Sequence, residues 1–288
     1  MPAQPSPGPR AAIVAELRDA GCVFAEDEAR LLISAARTDA DLAAMVARRA
    51  AGLPLEQVLG WAEFCGLRVA IDPGVFVPRR RTELLAREAV ALARAALASA
   101  GEARARRRAV VVDLCCGSGA VGAFVAAGLD QVELHAVDID PAAVGCARRN
   151  LAAAAGRVYE GDLDQPLPAS LRGRVDVLVA NAPYVPTEAL GLLPREARIH
   201  EPRIALDGGI DGLDLVRRLI AAAPTWLAPG GYLLVETSEQ QGPETIEAVA
   251  RSGLIPRLTS SAELEATVIV GTTPGLETAS GRPVSARF

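Results

Sequence analysis

The stretch VVVDLCCGSGAVG, residues 110–122, decides the fold. It begins as an apolar run that predicts a buried strand, continues through a turn that contains Gly117 and Gly119, and ends in the start of a helical pattern. A strand, a glycine-rich turn and a helix in this order are typical of a doubly wound α/β sheet, whose ligands bind beyond the carboxyl ends of the strands. Because glycine leaves the backbone accessible, this turn is the predicted ligand site.

The same alternation of strand and helix continues downstream. Strands are predicted at 110–114, 132–138, 158–162, 175–181 and 231–237, with a final pair near 255–258 and 267–270. Helices are predicted between them at 119–127, 141–154, 211–227 and 241–252. Nearly continuous apolar strands that alternate with helices predict a mostly parallel sheet covered on both faces. The predicted domain spans residues 82–288 and opens with a helix from Thr82 to Ser99.

Upstream of this domain the pattern changes. Three segments are predicted there, namely a proline-rich disordered leader, a small all-helical domain and a β-hairpin linker, at residues 1–9, 10–62 and 63–81. In the helical segment, Pro54 is placed where a helix can start and Gly60 where it can stop. In the linker, Leu67 and Val69 belong to an alternating run, and the turn-forming Asp72-Pro73-Gly74 predicts the hairpin turn.

Composition excludes several classes of protein. The 288 residues contain 30 Lys+Arg and 35 Asp+Glu, a formal net charge of −5, which disfavours binding of nucleic acid through a broad basic surface. No run of ~18 apolar residues occurs, so a membrane span is not expected. Five cysteines without metal-like spacing favour reduced thiols over a disulfide framework. We therefore expect a cytoplasmic protein with no metal site and no membrane or stable nucleic-acid partner.

Acidic residues lie at the ends of the first three predicted strands. Asp113 would repel a pyrophosphate but suits the ammonium group of an aminoacyl cofactor such as S-adenosylmethionine, although GSGAVG also matches the weak dinucleotide pattern GxGxxG. Asp138, at the end of the second strand, can accept hydrogen bonds from both ribose hydroxyls. Asp162 can accept from an adenine amino group, and Leu163 can cover the ring. The pattern favours S-adenosylmethionine as the cofactor.

The fourth strand of the predicted sheet ends in Asn181-Ala182-Pro183-Tyr184. An amide or arylamine nitrogen is a poor nucleophile because its lone pair is delocalised. The Asn181 side-chain oxygen and a following backbone carbonyl can bind its two N–H groups and orient it toward an activated methyl group, while Tyr184 supplies a flat wall. Positioning and electrostatics can then replace a strong base. These four residues are the predicted catalytic motif.

The ordered set of motifs resembles a known family. DLCCGSGAVG, VDID, GDL and NAPY, with VFVPRRRTELL before them and LPREARIHEPRIALDGG after, are similar to protein-(glutamine-N5) methyltransferases of the HemK type. The resemblance covers nearly the whole chain. It implies a Rossmann-like class I methyltransferase sheet that uses S-adenosylmethionine. The implied substrate is the glutamine of the Gly-Gly-Gln motif in bacterial peptide-chain release factors, and the helical N-terminal domain would recognise that protein.

The resemblance also implies roles for individual residues. The cofactor-binding set, which includes the acid Asp113 discussed above, is Asp113, Cys115, Cys116, Gly117, Ser118, Gly119, Asp138, Asp162, Leu163, Asn181, Thr82 and Glu83. The substrate-binding set is Phe76, Pro78, Arg79, Asn181, Ala182, Pro183 and Tyr184.

This chain departs from the family pattern at a few positions. Ala182 stands where the motif usually has proline, although Pro183 still biases residue 182 toward extended geometry. Arg80 replaces the second proline of the Pro-Arg-Pro-x-Thr-Glu element, and Cys115 and Cys116 make the first turn bulkier. The Asn-x-Pro-Tyr form resembles a sister group of the release-factor and ribosomal-protein-L3 enzymes. A release factor and a ribosomal protein therefore both stay open as the substrate.

Two other functions are compatible with the same residues. The first is methylation of adenine N6 in nucleic acid, in which a flipped base would stack on Tyr184; the negative net charge argues against it. The second is a protein-interaction module that binds the cofactor without turnover, which Ala182, Arg80 and the paired cysteines suggest. The presence of both Asn181 and Asp138 favours an active enzyme.

Overall fold

A computed structural model describes residues 9–98 and 108–274 of the chain. The helices are α1 Pro9–Asp19, α2 Ala25–Ala35, α3 Asp39–Ala50, α4 Leu55–Leu59, α5 Glu83–Ala98, α6 Ala120–Gly128, α7 Pro141–Asn150, α8 Arg195–His200, α9 Asp214–Trp226 and α10 Gly242–Arg251. The strands are β1 Trp61–Phe64, β2 Leu67–Ala70, β3 Ala109–Leu114, β4 Val132–Asp138, β5 Arg157–Glu160, β6 Val175–Ala180, β7 Leu227–Thr237, β8 Ile255–Ser261 and β9 Ala266–Thr272.

The large sheet contains seven strands in the order β5-β4-β3-β6-β7-β9-β8. Strands β3 to β7 pair in parallel, whereas β9 is antiparallel to both β7 and β8. The predicted mostly parallel α/β sheet is therefore confirmed. Because the chain leaves β3 toward β4 on one side and later returns to β6 on the other, the strand order reverses beside β3. Doubly wound sheets bind their ligands at such a point.

Alternate residues of the central strands pack on opposite faces of the sheet. Val111 belongs to the apolar cluster that contains α5 and α6 residues, and Val112 belongs to the cluster that contains α9 residues. The same alternation separates Val177 from Leu178 on β6. This period of two is the normal consequence of strand geometry. Both faces of the sheet are thus buried, and the edge at the carboxyl ends of the strands is left for ligands.

Helices α1 to α4 surround an apolar cluster of their own, which includes Leu17, Leu32 and Val46. As predicted, Pro54 is the N-cap of α4, and Gly60 ends that helix in the left-handed conformation, with φ 79°. Residues 1–8 of the predicted leader lie outside the described residues. The boundaries at residues 10–62, 63–81 and 82–288 stay a prediction as a division into domains.

The linker is a β-hairpin, but its turn is not where the sequence predicts it. Strands β1 and β2 pair antiparallel and are joined through Cys65 and Gly66, whose φ angles are 51° and 77°. Two successive left-handed residues match the twist of a hairpin and form its preferred turn. Asp72-Pro73-Gly74 instead forms a separate turn after β2, in which the Val75 N–H donates to the Asp72 carbonyl at 3.1 Å.

Within residues 9–98 and 108–274, no helix combines the length and the apolar character needed to cross a membrane.

Candidate active site

A cavity of about 680 Å³ lies beyond the carboxyl ends of strands β3 to β7. Its walls come from the residues that follow these strands, from the segment after the hairpin and from the 193–206 region. The predicted site residues on its walls are Phe76, Arg79, Cys115, Gly117, Asp138, Asp162, Leu163, Asn181, Ala182, Pro183 and Tyr184. Residues predicted for cofactor, catalysis and substrate therefore share one cavity.

Other predicted site residues do not line this cavity. They are Pro78, Thr82, Glu83, Asp113, Cys116, Ser118 and Gly119. Thr82 is buried and contacts Asn181, whereas Glu83 pairs with Arg87 at 2.7 Å. Gly119 is needed for packing, since a Cβ there would lie 3.2 Å from Ala147 and its φ is 78°. Direct cofactor or substrate contacts of these residues stay predictions.

Asp113 supports the first turn from behind rather than from the cavity wall. Its side chain is buried, and its carboxyl accepts the Gly122 N–H at 3.0 Å. Burial raises the pKa of Asp113 to about 7, although the Gly122 hydrogen bond opposes this rise and the Asp138 charge adds to it. The placement gives no support to the predicted contact between Asp113 and a cofactor ammonium group. It indicates that Asp113 fixes the junction between β3 and α6.

The first turn exposes backbone to the cavity at Gly117. A Cβ placed on this residue would meet no atom within 4 Å, and its φ is 54°. Cys115 also adopts a positive φ of 55°, which is uncommon for a residue with a side chain. The Cys116 N–H donates to the Val137 carbonyl at 3.0 Å and ties the turn to β4. The turn is thereby held open beside the end of the neighbouring strand.

Asp138 lies at the end of β4 and faces this turn. Its Oδ2 accepts the Gly117 N–H at 2.8 Å, and its Oδ1 accepts the Asp140 N–H at 2.9 Å. Burial raises the pKa of Asp138, and these two backbone hydrogen bonds oppose the rise. Each carboxylate oxygen keeps a second acceptor position. Asp140 is the N-cap of α7 through its contact with the Ala142 N–H, as the sequence predicts.

Asp162 forms part of the wall after β5, and it has a partner that the sequence does not reveal. Arg218 of α9 donates to Asp162 Oδ2 at 2.6 Å and also lines the cavity. Leu163 follows with a φ of 49° and is buried. No motif around Arg218 predicts this contact, because it joins residues 56 positions apart.

The predicted catalytic motif follows β6 directly. Asn181 Nδ2 donates to Thr82 Oγ1 at 3.1 Å, and Ala182 is only 1% exposed. The Tyr184 hydroxyl donates to Glu236 Oε1 at 3.2 Å and lies 3.5 Å from Arg81 Nη1. Mainly because of burial, the pKa of Tyr184 is raised to about 12, so its hydroxyl stays protonated.

Glu236 is a site residue that sequence reasoning missed. Because Ala180 of β6 pairs with Val235 of β7, the next residues, Asn181 and Glu236, lie at the ends of adjacent strands. Glu236 is 1% exposed, and burial raises its pKa against the opposing effects of the Thr82 and Tyr184 hydroxyls and the Arg81 charge. The sequence signal that could have identified Glu236 is an acidic residue directly after the apolar run LLV of β7.

The region from 185 to 207 covers one side of the cavity. Its ends are joined by a bridge between Val185 and Asp207. In its middle, the buried Glu201 accepts hydrogen bonds from Arg79 at 2.6 Å through both carboxylate oxygens. Arg79 also lies over the Phe76 ring, 5.0 Å from the ring centroid. We call residues 185–207 the cover segment. Because Glu201 lies in the cover segment and Arg79 follows the hairpin, their ion pair attaches these two parts of the chain to each other.

The N-terminal helices also contact the cover segment. Arg49 of α3 donates to Glu28 of α2 at 2.6 Å and to Glu196 of α8 at 3.0 Å. The side chains of Arg49 and Glu28 are 11% and 9% exposed, so this pair is largely removed from water. Sequence reasoning missed this contact, since Arg49 and Glu196 are 147 positions apart.

Comparisons with known proteins agree with this geometry. The family model described as "Methyltransferase small domain" matches residues 81–253. A release factor glutamine methyltransferase from Geobacter sulfurreducens is 39% identical over 211 residues, which are 73% of this chain and 69% of that protein. A 4-amino-L-phenylalanine/4-methylamino-L-phenylalanine methyltransferase from Streptomyces pristinaespiralis is 36% identical over 196 residues, 68% of this chain and 65% of that protein.

A solved methyltransferase from Pyrococcus furiosus shares the fold, with a TM-score of 0.52 and 15% identity over 79% of this chain and 99% of that one. The fold and the sequence relatives lead to the same conclusion. The chain belongs to the methyltransferase small-domain family and, within it, to the protein-(glutamine-N5) methyltransferases of the HemK type.

Proposed function

We propose that this chain transfers a methyl group from S-adenosylmethionine to the side-chain amide nitrogen of a glutamine in a peptide-chain release factor. One observation carries the proposal. The Asn181-to-Tyr184 motif lies on the wall of the same cavity as Gly117 and Asp138. The residues suited to an amide and those suited to a nucleoside cofactor can therefore act on one pair of bound molecules.

The residues present fit S-adenosylmethionine. Gly117 presents backbone without a Cβ to open space, and Asp138 offers spare acceptor positions for two ribose hydroxyls. Asp162 can accept from an adenine amino group while Leu163 covers the ring. When bound, this cofactor supplies a methyl group activated by a positively charged sulfonium. No metal is needed for that chemistry, and none of the described residues form a group of three or more His, Cys, Asp or Glu that could hold one.

The acceptor nitrogen is oriented by the end of β6. Asn181 Oδ1 and the Ala182 carbonyl can accept one N–H each from a carboxamide, and Tyr184 can pack against its plane. Localising the nitrogen lone pair in this way lowers the barrier by positioning and electrostatics. The alanine at position 182 keeps the required backbone carbonyl, and its burial, with 1% exposure, supports the proposal that packing holds this backbone where the family motif has a proline.

The choice of a release factor is supported by the relatives, several of which carry that name at 37–40% identity. The phenylalanine-derived relative shows that a related chain acts on an arylamine, which is also a planar nitrogen. A protein substrate is favoured here because Glu196, which lines the cavity, also pairs with Arg49 of the N-terminal helices. A large partner could contact both the cavity and these helices.

The test is incubation of the purified chain with methyl-labelled cofactor and four separate acceptors. These are a release factor, the same factor with its Gly-Gly-Gln glutamine replaced by alanine, a mixture of ribosomal proteins, and duplex DNA. We expect one methyl group on the release-factor glutamine, located by peptide mass spectrometry, and none on the alanine variant. Label on a ribosomal protein or on DNA would replace the proposed substrate, and no label on any acceptor would favour a non-catalytic interaction protein.

A further inference from the structure

Asn181 belongs to a polar network that extends from the cavity wall into the protein interior. Its Nδ2 donates to Thr82 Oγ1 at 3.1 Å, and Tyr184 donates to Glu236 Oε1 at 3.2 Å. Thr82 and Glu236 are 3% and 1% exposed, so one partner in each contact is shielded from water, whereas Asn181 and Tyr184 are half-buried at the cavity wall. The orientation of each group is therefore set by its protein neighbours.

The orientation of Asn181 matters because the two ends of a carboxamide have nearly the same shape but opposite hydrogen-bonding character. A substrate amide nitrogen carries two protons, so Asn181 has to present its oxygen to the cavity. If the Asn181 carboxamide were rotated by 180°, its own N–H group would face the N–H groups of the substrate amide. Thr82 alone does not decide between the two orientations, since a hydroxyl can either donate or accept.

Glu236 can determine which of the two orientations the Asn181 carboxamide adopts. An ionised carboxylate only accepts hydrogen bonds. Glu236 Oε2 is sealed from solvent and has no hydrogen-bond partner within residues 9–98 and 108–274. The Thr82 hydroxyl is close enough to this carboxyl to favour its ionised form and so to oppose the rise in its pKa. A buried acceptor with unused capacity thus lies beside the hydroxyl that contacts Asn181.

We propose that Glu236 is a positioning residue for the methyl transfer. Its ionised carboxylate accepts a hydrogen bond from the Thr82 hydroxyl, so that Thr82 Oγ1 can only accept from Asn181 and Asn181 Oδ1 faces the cavity. The inference rests on the proposed function, because an acceptor that carries N–H groups is what needs this orientation. Neither the family motif nor the sequence comparison assigns Glu236 this role.

Protonation of Glu236 reverses the donor and acceptor roles along this chain of hydrogen bonds. A protonated carboxyl can donate to Thr82, which then can donate to Asn181 Oδ1. The groups that face Glu236 are Thr82, Tyr184 and Arg81, and Tyr184 stays neutral at acidic and neutral pH because its pKa is about 12. Since burial raises the pKa of Glu236, kcat at saturating substrates falls as pH decreases through a value above that of an ordinary glutamate.

The main experiment compares Glu236→Gln with Glu239→Gln, which removes an exposed carboxyl three positions further along. We expect Glu236→Gln to lower kcat at least tenfold and to remove the acid limb of the pH profile, with the cofactor dissociation constant changed less than threefold. Glu239→Gln should keep the wild-type kcat and the acid limb of the pH profile. Because Glu236 acts through Thr82, Thr82→Val should lower kcat similarly, and the double variant should be no slower than the slower single variant.

A second readout needs no substrate. The Asn181 side-chain amide protons, followed by NMR in the cofactor-free protein, should exchange with solvent at least tenfold faster in Glu236→Gln than in the wild type. Unchanged exchange, a kcat within twofold of the wild type, or additive effects with Thr82→Val would each overturn the inference. If the wild type methylates no glutamine, the proposed function fails, and the NMR measurement still decides the orientation.

Discussion

The two halves of the cavity are built differently. On the cofactor side, the contacts that shape the wall join residues close in sequence, such as Gly122 with Asp113, nine positions apart, and Gly117 with Asp138, 21 apart. On the acceptor side, Asn181 and Thr82 are 99 positions apart and Arg79 and Glu201 are 122 apart. Apart from the contact between Asp162 and Arg218, which are 56 positions apart, the cofactor side is therefore shaped by neighbouring strands and turns, whereas the acceptor side depends on how distant segments dock.

This comparison predicts that variants on the two sides change different quantities. Asn181→Ala on the acceptor side should show the largest effect, a loss of about 10²–10³-fold in kcat, the size expected when one preorganised electrostatic contact is removed. Cofactor binding measured by calorimetry should stay within threefold of the wild type. A comparable loss of cofactor affinity would mean that Asn181 belongs to both sides and that the division is wrong.

The same difference explains what could be predicted from sequence. The order of strands and helices follows local apolar patterns, and Asp138, Gly117 and Asn181 follow strand ends, so their placement on one cavity could be expected. Glu236 and Arg218 carry no local motif, and Glu201 lies in the stretch LPREARIHEPRIALDGG without any sign of its partner, because all three contact distant segments. The sequence predicts the hairpin turn at Asp72-Pro73-Gly74 because that triplet has stronger turn residues than Cys65-Gly66, although the pairing of β1 with β2 requires the turn at Cys65-Gly66.

The contact between the N-terminal helices and the cover segment offers a second test. Arg49→Met leaves Glu28 buried without its partner, which should lower the free energy of unfolding by about 3 kcal/mol. It also frees Glu196 of the cover segment, so KM for the protein substrate should rise while cofactor affinity is kept.

The matched control is Arg30→Met, which breaks the exposed pair with Asp27 and should cost less than about 0.5 kcal/mol. The unfolding free energies of both variants can be measured by denaturant unfolding, and the KM for the protein substrate is measured in parallel. Equal stability of the two variants would contradict the cost assigned to an unpaired Glu28, and an unchanged KM in Arg49→Met would show that Arg49 does not couple the N-terminal helices to the acceptor side.

Asp113 tests the cofactor side through pH. Its folded pKa of about 7 is above the ordinary value of 3.8, so its contribution to stability is complete below pH 3.8 and is lost as pH rises through 7. Asp113→Asn cannot ionise, yet its side-chain oxygen can still accept the Gly122 N–H.

The variant should therefore be more stable than the wild type by about 4 kcal/mol at pH 8, since the pKa rises by about three units and each unit corresponds to about 1.4 kcal/mol. At pH 4 the two proteins should have nearly equal unfolding free energies. A constant difference between pH 4 and pH 8 would show that the pKa of Asp113 is not raised in the folded protein.

The smallest expected effect concerns Asp138, and it completes the comparison. Asp138→Asn places an N–H group opposite the Gly117 or the Asp140 N–H, and it removes the charge that would accept from a ribose. Hydrogen bonds to charged groups contribute about 1.5–3 kcal/mol, so cofactor affinity should fall at least about tenfold. At saturating cofactor, kcat should stay within threefold, because the acceptor side is untouched. Asp130→Asn, an exposed carboxyl just before β4, serves as the control. If Asp138→Asn instead lowered kcat and left cofactor affinity unchanged, the two sides would not be separable, and the acceptor geometry would depend on the cofactor turn as well.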